Sequence, residues 1–286
     1  MAADLSRRLF VTDLDGTLLD DTSQVSDTSR KILSELTARG VGITVATART
    51  PATVQPLLAG TGIHVPAVVM TGAALWDCSK QKYIDAQRLA VDDAIYAGQQ
   101  CEEWGLSPMV YKMGEDDILH VYHTPSMPPM GKKFIDERSH LALKKTHATE
   151  NPLGHLLTPD TILILAVGPE EAVMKVRRRL HISRRPLSVA YYTDPNYPGI
   201  YFLEIFGPDV TKAQALRRLR DITGATHITV FGDSYNDLSM MAEADLAIAV
   251  ENAAREVRAA ADIVIGRNTD DAVARYILSQ TEIRNS

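Results

Sequence analysis

Short apolar runs, each followed by a small or polar residue, recur near both ends of this 286-residue chain. Runs of four or five apolar residues are typical of strands buried on both faces of a parallel sheet. Amphipathic stretches with helix start signals lie between them, so strand and helix alternate along the chain. The pattern predicts an α/β fold, a Rossmann-like doubly wound parallel sheet. The six predicted strands are residues 9–12, 43–46, 67–70, 228–231, 246–250 and 263–265.

The middle of the chain has a different pattern. Its strand candidates are mixed and amphipathic, and they alternate with helical stretches at 92–104 and 169–180. The proline-rich piece 124–154 predicts loops around one short helix at 132–143. We therefore predict a core formed by residues 1–82 and 197–286, with residues 83–196 inserted as an α+β domain.

Composition excludes several kinds of partner. Thirty Lys and Arg against 36 Asp and Glu leave a net charge of −6, which would repel a nucleic-acid backbone. No apolar run approaches the roughly 20 residues that span a bilayer. The N-terminal residues lack the apolar stretch of a signal peptide, and two cysteines are too few for a disulfide framework. We expect a cytoplasmic protein, monomeric or a small homo-oligomer, with no nucleic-acid or membrane partner.

The strongest chemical signal is Asp13-Leu14-Asp15-Gly16-Thr17, directly after the first predicted strand. Residues two apart at a strand end point to the same side, so both carboxylates are expected to face one crevice. Two acids at one substrate can divide the roles of nucleophile and proton carrier. Gly16 allows a sharp turn that keeps the amides of Leu14 and Gly16 close to an anion. The bare pentapeptide also fits a simple Asp-Gly turn without chemistry.

A second acidic cluster, which contains Asp233 and Asp237, follows the predicted strand 228–231. The C-terminal ends of parallel strands lie along one edge of the sheet, where ligands bind. Asp13, Asp233 and Asp237, with the backbone carbonyl of Asp15, would supply the oxygen ligands that Mg²⁺ prefers. Taken alone, Asp233 or Ser234 could instead cap the helix that follows.

Groups that bind phosphate follow the other strands at this edge. They are a hydroxyl, a guanidinium and backbone amides exposed by glycine. Lys212 begins a helix, where a lysine opposes the helix dipole, and this indicates a compensating anion. Each signal alone is weak, because a threonine after a strand is more often a cap or turn residue. The residues at the strand ends are Thr47, Ala48, Arg49, Thr71 and Gly72.

Taken together, the motifs resemble those of the haloacid dehalogenase-like phosphatase superfamily, in the Cof-type branch that carries a type-2 cap. Asp13-x-Asp15-Gly16-Thr17 is similar to the nucleophile loop of that family, Thr47 to its second motif and Lys212 to its third. Gly232-Asp233-x-x-Asn236-Asp237 is similar to its metal loop. The four motifs occur in the family's order, with the cap insertion after Thr47.

The resemblance implies a Mg²⁺-dependent phosphatase that hydrolyses small phosphomonoesters, such as a sugar phosphate, through an aspartyl-phosphate. Asp13 would attack phosphorus, and Asp15 would protonate the leaving alcohol and then activate water. Mg²⁺ would lie on Asp13, the Asp15 carbonyl and Asp233, with Asp237 in support, while Lys212 and Thr47 hold the phosphoryl group. The other residues expected to contact phosphate are Leu14, Gly16, Thr17, Ala48, Arg49, Thr71, Gly72 and Asn236.

Two strand ends depart from the family pattern. Ala48 replaces a glycine that is common in relatives, and its methyl group is compatible only with a backbone that does not need positive φ. Thr71 replaces an asparagine, so it lacks the amide group. In the cap, the candidate substrate contacts are Tyr111, Lys112, His123, Lys132 and Lys133.

Alternative functions remain open from the sequence. A phosphotransferase of the phosphomannomutase type shares the nucleophile loop, and a non-catalytic sugar-phosphate-binding module would keep the fold. Dehalogenation is disfavoured, because that pattern lacks the second aspartate, Asp15. His120 and His123 would point to opposite faces of a strand, so no two-histidine metal site is expected.

Overall fold

The computed structural model describes residues 7–194 and 196–282. The chain forms two compact units, one from the residues up to Asp85 and from Thr211 onward, and one from Ala86–Val210. We call them the core unit and the cap unit.

The core unit alternates strands and helices, as expected for an α/β fold. Its strands are β1 (Arg8–Thr12), β2 (Gly42–Val45), β3 (Ala67–Val69), β4 (Ala74–Asp77), β5 (Lys82–Ala86), β12 (His227–Gly232), β13 (Leu246–Val250) and β14 (Ile263–Ile265). Its helices are α1 (Asp27–Ala38), α2 (Pro51–Leu57), α6 (Lys212–Thr223), α7 (Leu238–Glu243), α8 (Arg255–Ala260) and α9 (Ala272–Glu282).

Five strands form a parallel sheet in the order β14-β13-β12-β1-β2. The chain runs outward from β1 to β2 on one side, while β12, β13 and β14 extend on the other side. The strand order therefore reverses between β1 and β12. In open α/β sheets this reversal opens a crevice at the C-terminal ends of the two strands, which is where ligands bind. The predicted doubly wound parallel sheet is confirmed.

Two predicted strands differ from the expected buried parallel type. β3 meets the parallel sheet through one bridge, Ala46 to Val68, and pairs in antiparallel fashion with β4, which pairs in turn with β5. β14 is parallel but lies at the edge of the sheet, so Ile263 and Val264 are exposed rather than buried. The apolar runs identify these segments as strands, but the position of each strand in a sheet depends on which strands it pairs with.

Helix boundaries in the core follow local capping. The side chain of Ser26 accepts a hydrogen bond from the Ser29 amide at the start of α1, and Thr211 caps α6 in the same way through the Gln214 amide. Gly224 ends α6 in the left-handed conformation that glycine adopts readily. These caps place Lys212 in the first turn of α6.

The cap unit is an α+β layer, as predicted. Its strands are β6 (Met109–Met113), β7 (Leu119–His123), β8 (Lys144–Ala148), β9 (Thr161–Gly168), β10 (Ser188–Thr193) and β11 (Tyr201–Phe206). Its helices are α3 (Val91–Glu103), α4 (Pro129–Asp136) and α5 (Glu170–Ile182). The six strands form a mixed sheet in the order β10-β11-β9-β6-β7-β8, and one face packs on α3 and α5 around a buried apolar cluster.

The structure corrects three predictions for this unit. The segment 197–210 belongs to the cap and not to the core, because β11 pairs with β9 and β10 inside the cap sheet. Likewise, residues 83–85 belong to the core, because β5 extends the β3-β4 hairpin. The piece 124–154 holds β8 in addition to one helix, and that helix is α4, which begins at Pro129 rather than at 132. Across both units, none of the described helices has the length and apolar character needed to cross a membrane.

Candidate active site

Asp13 lies at the C-terminal end of β1, at the reversal of strand order. Its backbone amide donates to the carbonyl oxygen of Phe231 at the end of β12, at 2.9 Å, which holds the two strand ends together. Its carboxylate is buried. Lys212 Nζ donates to Asp13 Oδ1 and to Asp237 Oδ1, each at 2.7 Å, and the lysine side chain is fully buried. These two carboxylates are the compensating anions that the position of Lys212 indicated.

The turn after β1 brings Gly16 and Thr17 against Asp233. Gly16 has φ +77°, and a Cβ there would lie 2.5 Å from Asp233 Oδ2. Thr17 Oγ1 donates to Asp233 Oδ1 at 2.8 Å. Both residues were expected to contact phosphate; in the structure Thr17 holds the Asp233 carboxylate and Gly16 lies against it.

Both carboxylate oxygens of Asp237 accept hydrogen bonds from the protein. Oδ1 accepts from Lys212, while Oδ2 accepts from the backbone amides of Asp233 and Ser234, each at 3.0 Å. Ser234 completes a capping box with Asp237 at the start of the following helical turn. The capping interpretation of this segment is therefore correct, and the cap also fixes the loop that carries Asp233.

The site holds more negative than positive charge. Burial raises the pKa of Asp13 well above its ordinary value, opposed by Lys212 and reinforced by the Asp237 and Asp233 carboxylates. Burial also raises the pKa of Asp233, to about 6, despite the hydrogen bond from Thr17. Burial alone would lower the pKa of Lys212, but Asp13 and Asp237 outweigh it and raise that pKa. One ammonium group facing three carboxylates leaves a need for further positive charge.

A divalent cation fits this need. Carboxylate oxygens of Asp13, Asp233 and Asp237 all lie within 4.8 Å of one another. Within the described residues, Asp13 Oδ2 and Asp233 Oδ2 accept no hydrogen bond, so each keeps an oxygen available for a ligand. Hard oxygen donors are the ligands of Mg²⁺. The acidic cluster can therefore bind a metal, with Asp13 and Asp233 better placed for direct coordination than Asp237.

Asp15 does not join the buried carboxylates. Half of its side chain is exposed, and it forms a two-pronged ion pair with Arg49, Nε to Oδ2 at 2.7 Å and Nη2 to Oδ1 at 2.5 Å. Arg49 and Asp15 were expected at the same edge, and the structure brings them into direct contact. The single crevice predicted for Asp13 and Asp15 thus holds one buried and one exposed carboxylate.

The segments that follow β2 and β3 are joined by backbone hydrogen bonds. The Thr71 amide donates to the Thr47 carbonyl at 3.0 Å, and Thr47 Oγ1 accepts from the Arg49 amide at 3.1 Å. Ala48 is absent from the described residues with positive φ, so its methyl group is tolerated as anticipated. Thr71 and Gly72, by contrast, both have positive φ, at 58° and 101°. Positive φ costs energy for Thr71, because threonine is β-branched.

Sequence reasoning missed Asn252 and Asn268 as site residues. Asn252 Nδ2 donates to the Gly16 carbonyl at 2.7 Å, and its Oδ1 accepts from the Asn268 amide at 3.0 Å. Asn268 Nδ2 donates to the Leu19 carbonyl at 2.8 Å. The two asparagines hold both ends of the turn that follows Asp13.

The remaining candidates make local contacts. Asn236 is exposed and accepts a hydrogen bond from Ser234 Oγ at 2.7 Å, and Leu14 is buried. In the cap, Tyr111 is buried beneath the sheet surface, and His123 Nδ1 contacts the Thr124 carbonyl. The three lysines among the cap candidates form ion pairs: Lys112 with Asp160, Lys132 with Asp136 and Lys133 with Glu137.

Comparisons with known proteins agree with this fold. The family model of haloacid dehalogenase-like hydrolases matches residues 10–277. A 5-amino-6-(5-phospho-D-ribitylamino)uracil phosphatase, YcsE of Bacillus subtilis, is 24% identical over 276 residues, covering 96% of both chains. The pyridoxal phosphate phosphatase YbhA of Escherichia coli is 24% identical and covers 96% of this chain and 99% of its own.

Solved structures show the same architecture. A haloacid dehalogenase-like hydrolase from Bacteroides thetaiotaomicron superposes with a TM-score of 0.78 at 23% identity, covering 96% of this chain and 99% of its own. The subclass IIB sugar phosphatase BT4131 gives a TM-score of 0.73 at 21% identity, with 96% and 99% covered. The α/β core with an inserted mixed cap sheet is the fold of these hydrolases.

The chain belongs to the haloacid dehalogenase-like hydrolase family. The predicted family and the predicted enzyme class, a phosphatase of this family, are confirmed by relatives that match nearly the whole chain.

Proposed function

We propose that this protein is a Mg²⁺-dependent phosphatase that hydrolyses small phosphomonoesters through a phosphorylated Asp13. The observation that carries the proposal is the group of Asp13, Lys212, Asp233 and Asp237 at the reversal of strand order, in which Asp233 is half-buried and the other three are buried.

Asp13 is the proposed nucleophile. Lys212 binds its Oδ1 and fixes the carboxylate, which leaves Oδ2 without a hydrogen-bond donor among the described residues. Attack on phosphorus forms a bond from an Asp13 oxygen to phosphorus and breaks the bond to the ester oxygen. Lys212 would also bind the transferring phosphoryl group, whose spread negative charge requires positive partners.

Asp15 is the proposed acid and base. It would protonate the leaving alkoxide and then accept a proton from the water that hydrolyses the aspartyl-phosphate. Both of its carboxylate oxygens accept hydrogen bonds from Arg49. Asp15 must therefore separate from Arg49 before it can carry a proton, and a substrate phosphate is a suitable new partner for Arg49.

Mg²⁺ would be held by Asp13, Asp233 and the Asp15 carbonyl, with Asp237 keeping Lys212 and the Asp233 loop in place. When bound, it supplies positive charge to the phosphoryl oxygens. Thr47 and the backbone around Gly72 are proposed phosphate contacts, and the cap unit is proposed to select the alcohol part of the substrate. Relatives named as phosphatases of ribitylaminouracil phosphate, pyridoxal phosphate and sugars support a small metabolite phosphate as the substrate.

The test is phosphate release from a generic aryl phosphate and a panel of metabolite phosphates, with Mg²⁺ or with EDTA. Asp13→Asn and Asp15→Asn are compared with Asp21→Asn, an exposed carboxylate near the same turn. We expect metal-dependent release that both site variants reduce by at least about 10³-fold, while Asp21→Asn retains it.

Loss of activity only in Asp21→Asn, or release unaffected by EDTA, would contradict the proposal. Transfer of the phosphoryl group to a second sugar hydroxyl, dependent on a bisphosphate activator, would identify the mutase alternative. Ligand binding without turnover by folded, Mg²⁺-loaded protein would identify a binding module.

A further inference from the structure

Lys144, the first residue of β8, is a buried lysine in the cap unit. Its residue exposure is 6%, although lysine is almost never buried without a charged partner. Across residues 7–194 and 196–282, its ammonium group makes no hydrogen bond and no ion pair. The aromatic ring of Tyr111 lies 5.4 Å from its Nζ. A ring face compensates only a small part of the cost of removing an ammonium group from water.

A second cation, Arg138, lies near Lys144. The backbone connects them closely, since the Leu141 amide donates to the Arg138 carbonyl and the Lys144 amide donates to the Leu141 carbonyl. Burial, followed by the positive charge of Arg138, lowers the pKa of Lys144 to about 8. Both influences disfavour a charged lysine at this position.

Arg138 retains donors for a ligand. Its guanidinium carbon lies 3.9 Å from the centre of the Phe134 ring. Its Nη1 donates hydrogen bonds to the Phe134 carbonyl, the Glu137 carboxylate and the Tyr197 hydroxyl. Within the described chain, its Nε and Nη2 donate no hydrogen bond. A guanidinium edge and an ammonium group are both groups that bind a carboxylate or a phosphate.

We propose that Lys144 and Arg138 form an anion-binding subsite on the cap unit that takes a small oxyanion, either a carboxylate or a phosphate group. The anion replaces the missing partner of Lys144 and neutralises the repulsion between the two cations. Two sources share this chemistry: a second acidic group on the substrate, or a free metabolite anion.

The first test observes Lys144 directly. Nuclear magnetic resonance of protein with ¹³C-labelled lysine side chains follows each ammonium titration in EDTA, and Lys144→Arg assigns the signal. We expect Lys144 to titrate well below the other lysines, and inorganic phosphate to raise its midpoint by about one pH unit. Because this readout is local, phosphate bound elsewhere does not move it. A midpoint that does not respond to millimolar phosphate overturns the proposal.

The second test uses matched neighbours in β8. Lys145 has an exposed side chain paired with Asp116, so Lys145→Met controls for loss of one charge. We expect calorimetric phosphate binding in EDTA to weaken at least about tenfold in Lys144→Met and to be unchanged in Lys145→Met. Equal weakening in both variants would show a nonspecific charge effect and would overturn the subsite. Neither test depends on phosphatase activity.

Kinetics separate the two sources. If Lys144→Met raises KM for a phosphate ester that also carries a carboxylate, but not for a neutral one, the subsite binds substrate. If KM is unchanged for both esters while the native protein binds phosphate at Lys144, the ligand is a free anion.

Discussion

The side-chain amide of Asn252 donates a 2.7 Å hydrogen bond to the carbonyl oxygen of Gly16, in the turn directly after Asp13. Gly16 also lies against Asp233, so one asparagine fixes the turn between the two proposed metal-binding carboxylates. Asn252 is therefore a positioning residue for the site.

Asn252→Asp keeps the size of the side chain and an acceptor for the Asn268 amide, but removes the donor to Gly16. Groups that orient the metal-binding residues also set metal affinity. We therefore expect Mg²⁺ binding to weaken by about 10 to 100-fold. Calorimetric titration with Mg²⁺ measures this, together with urea unfolding. A variant that loses stability while keeping native Mg²⁺ affinity would show that the bond is only structural.

Lys212→Met should destabilise the core unit strongly. It leaves the buried Asp13 and Asp237 carboxylates without their shared cation, which costs roughly 3 to 5 kcal/mol of unfolding free energy. Added Mg²⁺ should restore part of this stability, because it also compensates the carboxylates. Thermal and urea unfolding with Mg²⁺ or EDTA measure both effects.

Arg217→Met on the same helix is the matched control. Arg217 is half exposed and pairs with Glu243 at the surface, so its loss should change stability by less than about 1 kcal/mol. Similar destabilisation by the two substitutions would mean that the buried ion pairs are not the cause.

Thr71→Asn should stabilise the protein. Threonine is β-branched and is strained at φ 58°, whereas asparagine tolerates the left-handed region. We expect a gain of about 1 kcal/mol in unfolding free energy, measured by urea denaturation. Thr53→Asn, in the ordinary helical backbone of α2, should give no gain. A loss of stability in Thr71→Asn would mean that the contacts of the threonine outweigh its strain.

Asp77 should make stability depend on pH. Its Oδ1 accepts from the Ser79 amide and hydroxyl and from the Lys80 amide, and the Ser79 hydroxyl bond is the main cause that lowers the pKa of Asp77 to about 2. A lowered carboxyl pKa adds stability above the unfolded value of 3.8 that is lost as the pH falls toward 2.

Asp77→Asn should therefore cost roughly 1 to 2 kcal/mol at pH 6, and the difference from the native protein should shrink below pH 4. Urea unfolding across this range measures it. Lys80→Met removes only an exposed partner and should change little. A constant difference at all pH values would exclude titration of Asp77 as the cause.

The core and most of its site could be predicted because both depend on local patterns. Buried parallel strands are continuous apolar runs, and residues that follow them meet at one sheet edge, which brings Asp13, Asp233 and Asp237 together. Lys212 was recognisable because a lysine is unfavourable in a first helical turn.

The missed features depend on contacts distant in sequence. β11 is apolar like a core strand, and only its pairing with β9 assigns it to the cap. β8 has the sequence Lys-Lys-Thr-His-Ala, which has little strand character. Asn252 and Asn268 act on backbone carbonyls far away in the chain, so no spacing reveals them.

The pairing of β1 with β12 sets an order of events during synthesis. Asp13 is synthesised early, but the strand before it, β1, pairs with residues 227–231. Its partner Lys212, and Asp237, which also binds Lys212, both follow the whole cap in sequence. The cap unit, by contrast, is one continuous segment. A nascent chain can thus complete the cap while β1, the strand before Asp13, still lacks its partner β12. The proposed site is complete only with the last quarter of translation, so a truncated product would retain the cap unit without the residues proposed for catalysis.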